Sequence, residues 1–214
     1  MSSSTTNITK LREQTGAGVL DCKKALEESG GDFAVAVDWL RKKGITKVAK
    51  RADKVAAEGK VISYIHGAGK LGVLVEVNCE TDFVAKTETF MRLASDIAMH
   101  IAASSPKYVS PVDVPAADLE REKAIYREQL QSEGKSKDII EKIVAGKLEK
   151  FYSEICLLKQ AFIKDEHKTI EYLLAEKTGE LGEKITIRRF VRFQLGEGIA
   201  RSEVDFVHEV AAQL

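Results

Sequence analysis

Apolar residues recur at helical spacing over residues 5–43, take on a strand-like pattern from about residue 61 to 77, and return to helical spacing from residue 87. Thr5, Thr6 and Asn7 offer N-caps ahead of Ile8 and Leu11, and Thr15-Gly16-Ala17-Gly18 breaks the first helix. Val19, Cys22, Ala25 and Leu26 then fall on one helical face. Gly30-Gly31-Asp32 is a stop and a new N-cap, Phe33, Ala36, Val37 and Leu40 recur at i, i+3, i+4 and i+7, and Gly44 is predicted to end that helix. Residues 5–43 therefore read as three short helices. Val61 to Ile65 and Leu71 to Val77 read as strands joined by His66-Gly67-Ala68-Gly69-Lys70. Thr87 to about Ser105 reads as a helix with Phe90, Leu93, Ala94, Ile97 and Ile101 inward, closed by Pro106, Pro111 and Pro115.

From Ala116 to Leu158 two amphipathic helices are broken at Ser132–Ser136. They predict an antiparallel hairpin, or two ordinary helices packed on the core. Thr169–Lys177 is a short helix, and Ile185–Ile187 and Phe190–Leu195 are strand-like. Ser202 caps a last helix carrying Val207, Val210, Ala211 and Leu214. The expected class is α+β: a three-helix N-terminal domain (1–53) followed by a basic helical linker, then a small antiparallel sheet packed with helices (54–115 and 159–201). An inserted helical hairpin (116–158) and a C-terminal helical module (202–214) complete it.

The 214 residues, 44% of them hydrophobic, suffice for one substantial core or two smaller ones. Lys plus Arg and Asp plus Glu both number 33. Zero net charge argues against a dedicated nucleic-acid site, whose affinity comes from many phosphate contacts. Met1–Thr6 holds no signal-peptide core, and no apolar run approaches a membrane span. Cys22, Cys79 and Cys156 have no metal spacing and are expected as buried apolar residues of a cytoplasmic protein. The four histidines are scattered, and neither HExxH nor GxSxG occurs. No catalytic residue, metal site or cofactor is therefore expected. Gly67, Gly69 and Gly72 spell GxGxxG, but a strand follows them where a dinucleotide site needs a helix. Gly69-Lys70 imitates a phosphate loop, yet Tyr64 replaces its first glycine and Leu71 its Ser or Thr.

Three features invite a binding role. Between the strand ending at Asn78 and the helix starting near Thr87, a turn carries Asp82 and Phe83 side by side, which turn geometry does not require. Phe83 either folds back into the core, with Asp82 capping the next helix, or stands out as a binding hot spot. Leu20 lies about 160° round its helix from Cys22, an exposed apolar knob beside the glycine loop. Lys47, Lys50, Arg51 and Lys54 make a basic stripe over 42–54. It is either an RNA-binding surface or a solvated helical linker, and the lack of interleaved aromatics favours the linker.

Asn78-Cys79-Glu80-Thr81-Asp82-Phe83-Val84-Ala85-Lys86 resembles the core signature of the elongation factor Ts family. Leu11 to Leu26 and Phe190 to Ile199 resemble two further signatures, in family order, so the resemblance spans nearly the whole chain. It implies a ubiquitin-associated-like N-terminal domain, a coiled-coil insertion, and guanine-nucleotide exchange on elongation factor Tu. It also implies a partner-binding surface of Thr81, Asp82, Phe83, Val84, Arg12, Val19, Leu20, Leu181 and Gly182. The chain departs from longer family members in having one set of strands rather than two, and Gln160-Ala161-Phe162 replaces a familiar Gln-Pro-Phe. Short forms complete the core with a second copy. A homodimer is therefore expected, with Ile187, Val191 and Phe193 on one strand face as its interface. The alternative is a monomer whose sheet is covered by helix 87–105 and hairpin 116–158.

Overall fold

The computed structural model describes residues 5–15, 17–51 and 53–199. The predicted C-terminal helix at 202–214 lies outside them. Three helices come first: α1 (Thr5–Thr15), α2 (Val19–Glu28) and α3 (Phe33–Arg51). Leu11, Cys22, Ala25, Leu26 and Ala36 are buried between them, with Ile8, Phe33, Val37, Trp39 and Leu40 packed around. The predicted stop at Gly44 is not where α3 ends, because the helix runs on to Arg51. An interior glycine costs a helix only about 1 kcal/mol relative to alanine. Packing of α3 on the core helix α8 (Ile170–Leu181) outweighs that.

The core is an antiparallel sheet in the order β1 (Glu58–His66), β2 (Leu71–Cys79), β5 (Thr186–Gln194). Gly67 and Gly69 take positive φ in the β1–β2 turn, and Gly72 already lies in β2, so the GxGxxG run opens a strand. Val73, Val75, Val77 and Cys79 of the central strand are buried beneath α5 (Glu88–Ser104). Thr87 caps α5 by accepting from the Phe90 N–H, and Phe90, Leu93, Ala94, Ile97 and Ile101 all face the sheet. Each fully buried side chain of this kind contributes about 1.5–3 kcal/mol.

β5 is one strand, not two, and it contains a bulge. Ile187 pairs with Val77 and Arg189 with Glu76, leaving Arg188 as the extra residue. An extra residue inverts the inward and outward alternation beyond it. Ile187 is thus 7% exposed and part of the core, whereas Phe193 is 71% exposed and Val191 shares its outer face. The expectation that Ile187, Val191 and Phe193 lie on one side is corrected: only the last two do. Val61, Ile65 and Leu74 join them to make an apolar outer sheet face. Neither α5 nor the inserted hairpin is packed against these side chains; α5 covers the opposite face.

α6 (Ala116–Ser132) and α7 (Lys137–Ile155) form the antiparallel hairpin around Leu130, Ile140 and Val144. Its base is stitched to the core where the Lys107 and Tyr108 amides donate to the Ile155 carbonyl and the Leu157 amide donates to the Tyr108 carbonyl. A short ribbon of β3 (Ala161–Phe162) and β4 (Asp165–Thr169) follows. No alternation announces it, since one strand is two residues long and the other is polar.

Candidate functional site

β2 carries Cys79 into the core, and the chain turns immediately into the single helical turn α4 (Asp82–Ala85). Thr81, not Asp82, is its N-cap, accepting from the Val84 N–H at 3.4 Å. Ala85 is buried and Val84 packs against the core. With those two positions inward, the helical repeat turns Phe83 to solvent, where it is 79% exposed. The alternative in which Phe83 folds back into the core is therefore not the one the chain adopts. Asp82 pairs with Lys86 one turn on, and this bond holds its carboxyl below the usual carboxylate range. The Lys86 ammonium also lies 6.0 Å from the centre of the Phe83 ring.

The turn is held from a distant part of the chain. Glu183, which follows Leu181 and Gly182 after α8, accepts from the Thr81 amide at 3.0 Å, the Thr81 hydroxyl at 2.7 Å and the Glu80 amide at 3.2 Å. Glu80 returns the contact: one carboxylate oxygen accepts from the Lys184 amide at 2.7 Å and the other from the Arg51 guanidinium at 2.7 Å. The Glu183 carboxylate thus holds the Glu80 and Thr81 backbone while the Glu80 carboxylate holds the backbone of the next residue along, Lys184, and α3 is tied in through Arg51. Leu181 is partly buried against the core, and Gly182 closes α8 at φ 75°. Through Glu183, the structure brings the Leu181–Gly182 end of α8 to Glu80 and Thr81 at the base of the turn. Sequence reasoning missed Glu183, Lys184 and the roles of Glu80 and Arg51. The only written signal is that Glu80 lies within, and Glu183 directly follows, a motif already singled out.

Arg12, Val19 and Leu20 make a second exposed group, on the helical bundle. Leu20 is 81% and Val19 50% exposed on the first turn of α2, and Arg12 is exposed beside the buried Leu11. The bundle reaches the turn through α3, which packs on α8 and ends at the Arg51–Glu80 bond. That bond also engages the one arginine of the basic stripe. The Cys22, Cys79 and Cys156 thiols are buried and free, and desolvation raises the pKa of each. Among the described residues no group of three or more His, Cys, Asp or Glu could hold a metal ion, and no helix is long and apolar enough to cross a membrane.

A family model described as Elongation factor TS matches residues 41–197. The chain is 55% identical over 212 residues to the elongation factor Ts of Geobacter metallireducens, covering 99% of this chain and 98% of the relative. Elongation factor Ts of Geotalea uraniireducens is 56% identical over 212 residues, with the same coverage of both. That of Desulforamulus reducens is 55% identical over 207 residues, covering 97% of this chain and 95% of the relative.

Proposed function

Since the chain belongs to the elongation factor Ts family, we propose that it performs guanine-nucleotide exchange on elongation factor Tu with the Phe83 turn as its working part. The observation that carries this is a large aromatic side chain held in solvent on a turn whose neighbours Val84 and Ala85 are anchored in the core. An aromatic presented on a fixed base contributes much of an interface's energy.

Exchange requires no bond to be made or broken by this chain. A partner that binds the nucleotide-free state better than the GDP state lowers GDP affinity by the same coupling factor. Elongation factor Tu holds GDP through phosphate and magnesium contacts. Phe83 enters between its side chains near the magnesium and disturbs that geometry, while Thr81, Asp82 and Val84 shape the turn and its polar rim. Arg12, Val19 and Leu20 grip the partner separately, giving the wedge something to work against, and Leu181 with Gly182 extends the contact beside the turn. The chain therefore acts as a binding protein rather than an enzyme, without a cofactor of its own, in the cytosol where translation proceeds. RNA binding through residues 42–54 is not favoured, because Arg51 is engaged by Glu80 and the chain carries no net charge.

A second copy of the chain covers the outer sheet face in this reading. Val61, Ile65, Leu74, Val191 and Phe193 form a contiguous exposed apolar surface, the kind that marks an interface. The decisive experiment for the exchange reading is stopped-flow release of fluorescent GDP from elongation factor Tu. Wild-type chain should accelerate release. Phe83→Ala should do so far less, since truncating a hot-spot aromatic costs about 2–4 kcal/mol. Wild-type acceleration by a folded Phe83→Ala chain would overturn the assignment.

A further inference from the structure

We propose that Glu183 and Glu80 are positioning residues for exchange: their reciprocal clasp fixes the base of α4 so that Phe83 meets the partner at one angle. This rests on the reading of Phe83 as the wedge. α4 has four residues. A single helical turn does not hold itself together, because its ordering fixes several torsions for one hydrogen bond. Its stiffness has to come from outside. Val84 and Ala85 anchor its far side in the core, and the near side is held by the Glu183 carboxylate on three donors of Glu80 and Thr81. Hydrogen bonds to an ionised acceptor are the stronger kind.

Glu80 closes the clasp from the other side. Its side chain is only 14% exposed, so the Lys184 amide and Arg51 guanidinium that it accepts from are partly screened from water. Losing one partner there leaves a shielded donor unmet. A wedge on a yielding base loses binding energy to ordering instead of transmitting it to the partner. Weakening the clasp should therefore lower the maximal rate of GDP release. The concentration for half-maximal effect should rise less than the maximal rate falls, because Arg12, Val19 and Leu20 sit on a different unit and still bind.

The test is stopped-flow GDP release from elongation factor Tu at saturating and sub-saturating concentrations of the full chain. The variants are Glu183→Ala, Glu183→Gln, Phe83→Ala and the double variant Glu183→Ala with Phe83→Ala. Glu183→Ala should cut the maximal rate about tenfold, the equivalent of one charge-assisted hydrogen bond. Glu183→Gln, which keeps one acceptor oxygen at the same reach, should recover most of it. The double variant should be no slower than Phe83→Ala alone. Should Glu183→Ala fail to fold, Glu183→Asp keeps the charge, shortens the reach and carries the same expectation. A wild-type maximal rate from Glu183→Ala beside a slow Phe83→Ala would overturn the clasp, as would single effects that multiply in the double variant. A wild-type rate from Phe83→Ala would overturn the wedge reading itself, and the clasp with it.

Discussion

His100 and Gln160 meet in the core at the foot of the helical hairpin, with 3.0 Å between His100 Nε2 and Gln160 Oε1. His100 Nδ1 accepts from the Ile163 amide at 3.3 Å, so the proton sits on Nε2 and the ring donates to Gln160. Gln160 in turn donates to the Glu154 carbonyl at 2.9 Å. One neutral imidazole thereby joins α5, the end of α7 and the β3–β4 ribbon.

Burial lowers the His100 pKa from its ordinary value of 6.5, against a smaller opposing effect of Gln160. Below that value the unfolded chain takes up a proton that the folded chain resists, so this residue's contribution to stability is intact above about pH 6.5. It falls as the pH drops from there toward the folded-state pKa. Thermal melts at half-unit steps from pH 8 to pH 5 should show a decline that begins near 6.5. His100→Gln should flatten that part of the curve, whatever its own stability.

Gly59→Ala should be severely destabilising. A Cβ at this position would lie 2.1 Å from the Val77 carbonyl oxygen, and φ is 141°, where side chains are rarely accommodated. Either the β1–β2 pairing opens at its start or the backbone refolds locally, a loss of more than about 2 kcal/mol. Urea denaturation monitored by circular dichroism should show the midpoint fall by a corresponding amount.

The bulge predicts opposite outcomes for two neighbouring apolar residues. Ile187→Ser places a hydroxyl in the core and leaves a void, costing about 3 kcal/mol or more, and should lower the melting temperature sharply. Phe193→Ser removes an exposed ring and should leave the fold of the single chain intact. If the outer sheet face joins two copies, light scattering should give twice 23.6 kDa for wild type and 23.6 kDa for Phe193→Ser. A wild-type monomer at micromolar concentration would remove the dimer.

Leu20→Ala should separate grip from wedge. Truncating this exposed side chain should raise the concentration of chain needed for half-maximal GDP release. The rate at saturation should stay near wild type, since the Phe83 turn is unchanged. Titrating stopped-flow rates against chain concentration reads both quantities.

The parts of this molecule that repeat were legible in its sequence. The α5 stripe and the alternation of β2 each follow a period, and so does the hairpin of α6 and α7 with its break at 132–136. Phe83 stood out because a turn has no need of it. What stayed hidden breaks a period or spans distance. Nothing in Ile187-Arg188-Arg189 marks an extra residue, so strand alternation alone puts Ile187 on the wrong face. Gly44 resembles a stop but sits inside a helix that tertiary packing sustains. Glu183 holds an amide 102 residues away, and one more glutamate among 33 acidic residues carries no sign of that.

The uninterrupted course of α3 past Gly44 sets a phase relation between the two ends of the molecule. Its 19 residues make a rod about 28 Å long, rooted in the bundle at one end and bonded to Glu80 at the other. Each residue added to that rod would swing the bundle about 100° around its axis, whereas seven would nearly restore its heading and set it about 10 Å further out. The count of residues in α3 is thus a gauge, and it sets the span across which Leu20 and Phe83 can engage one partner at once.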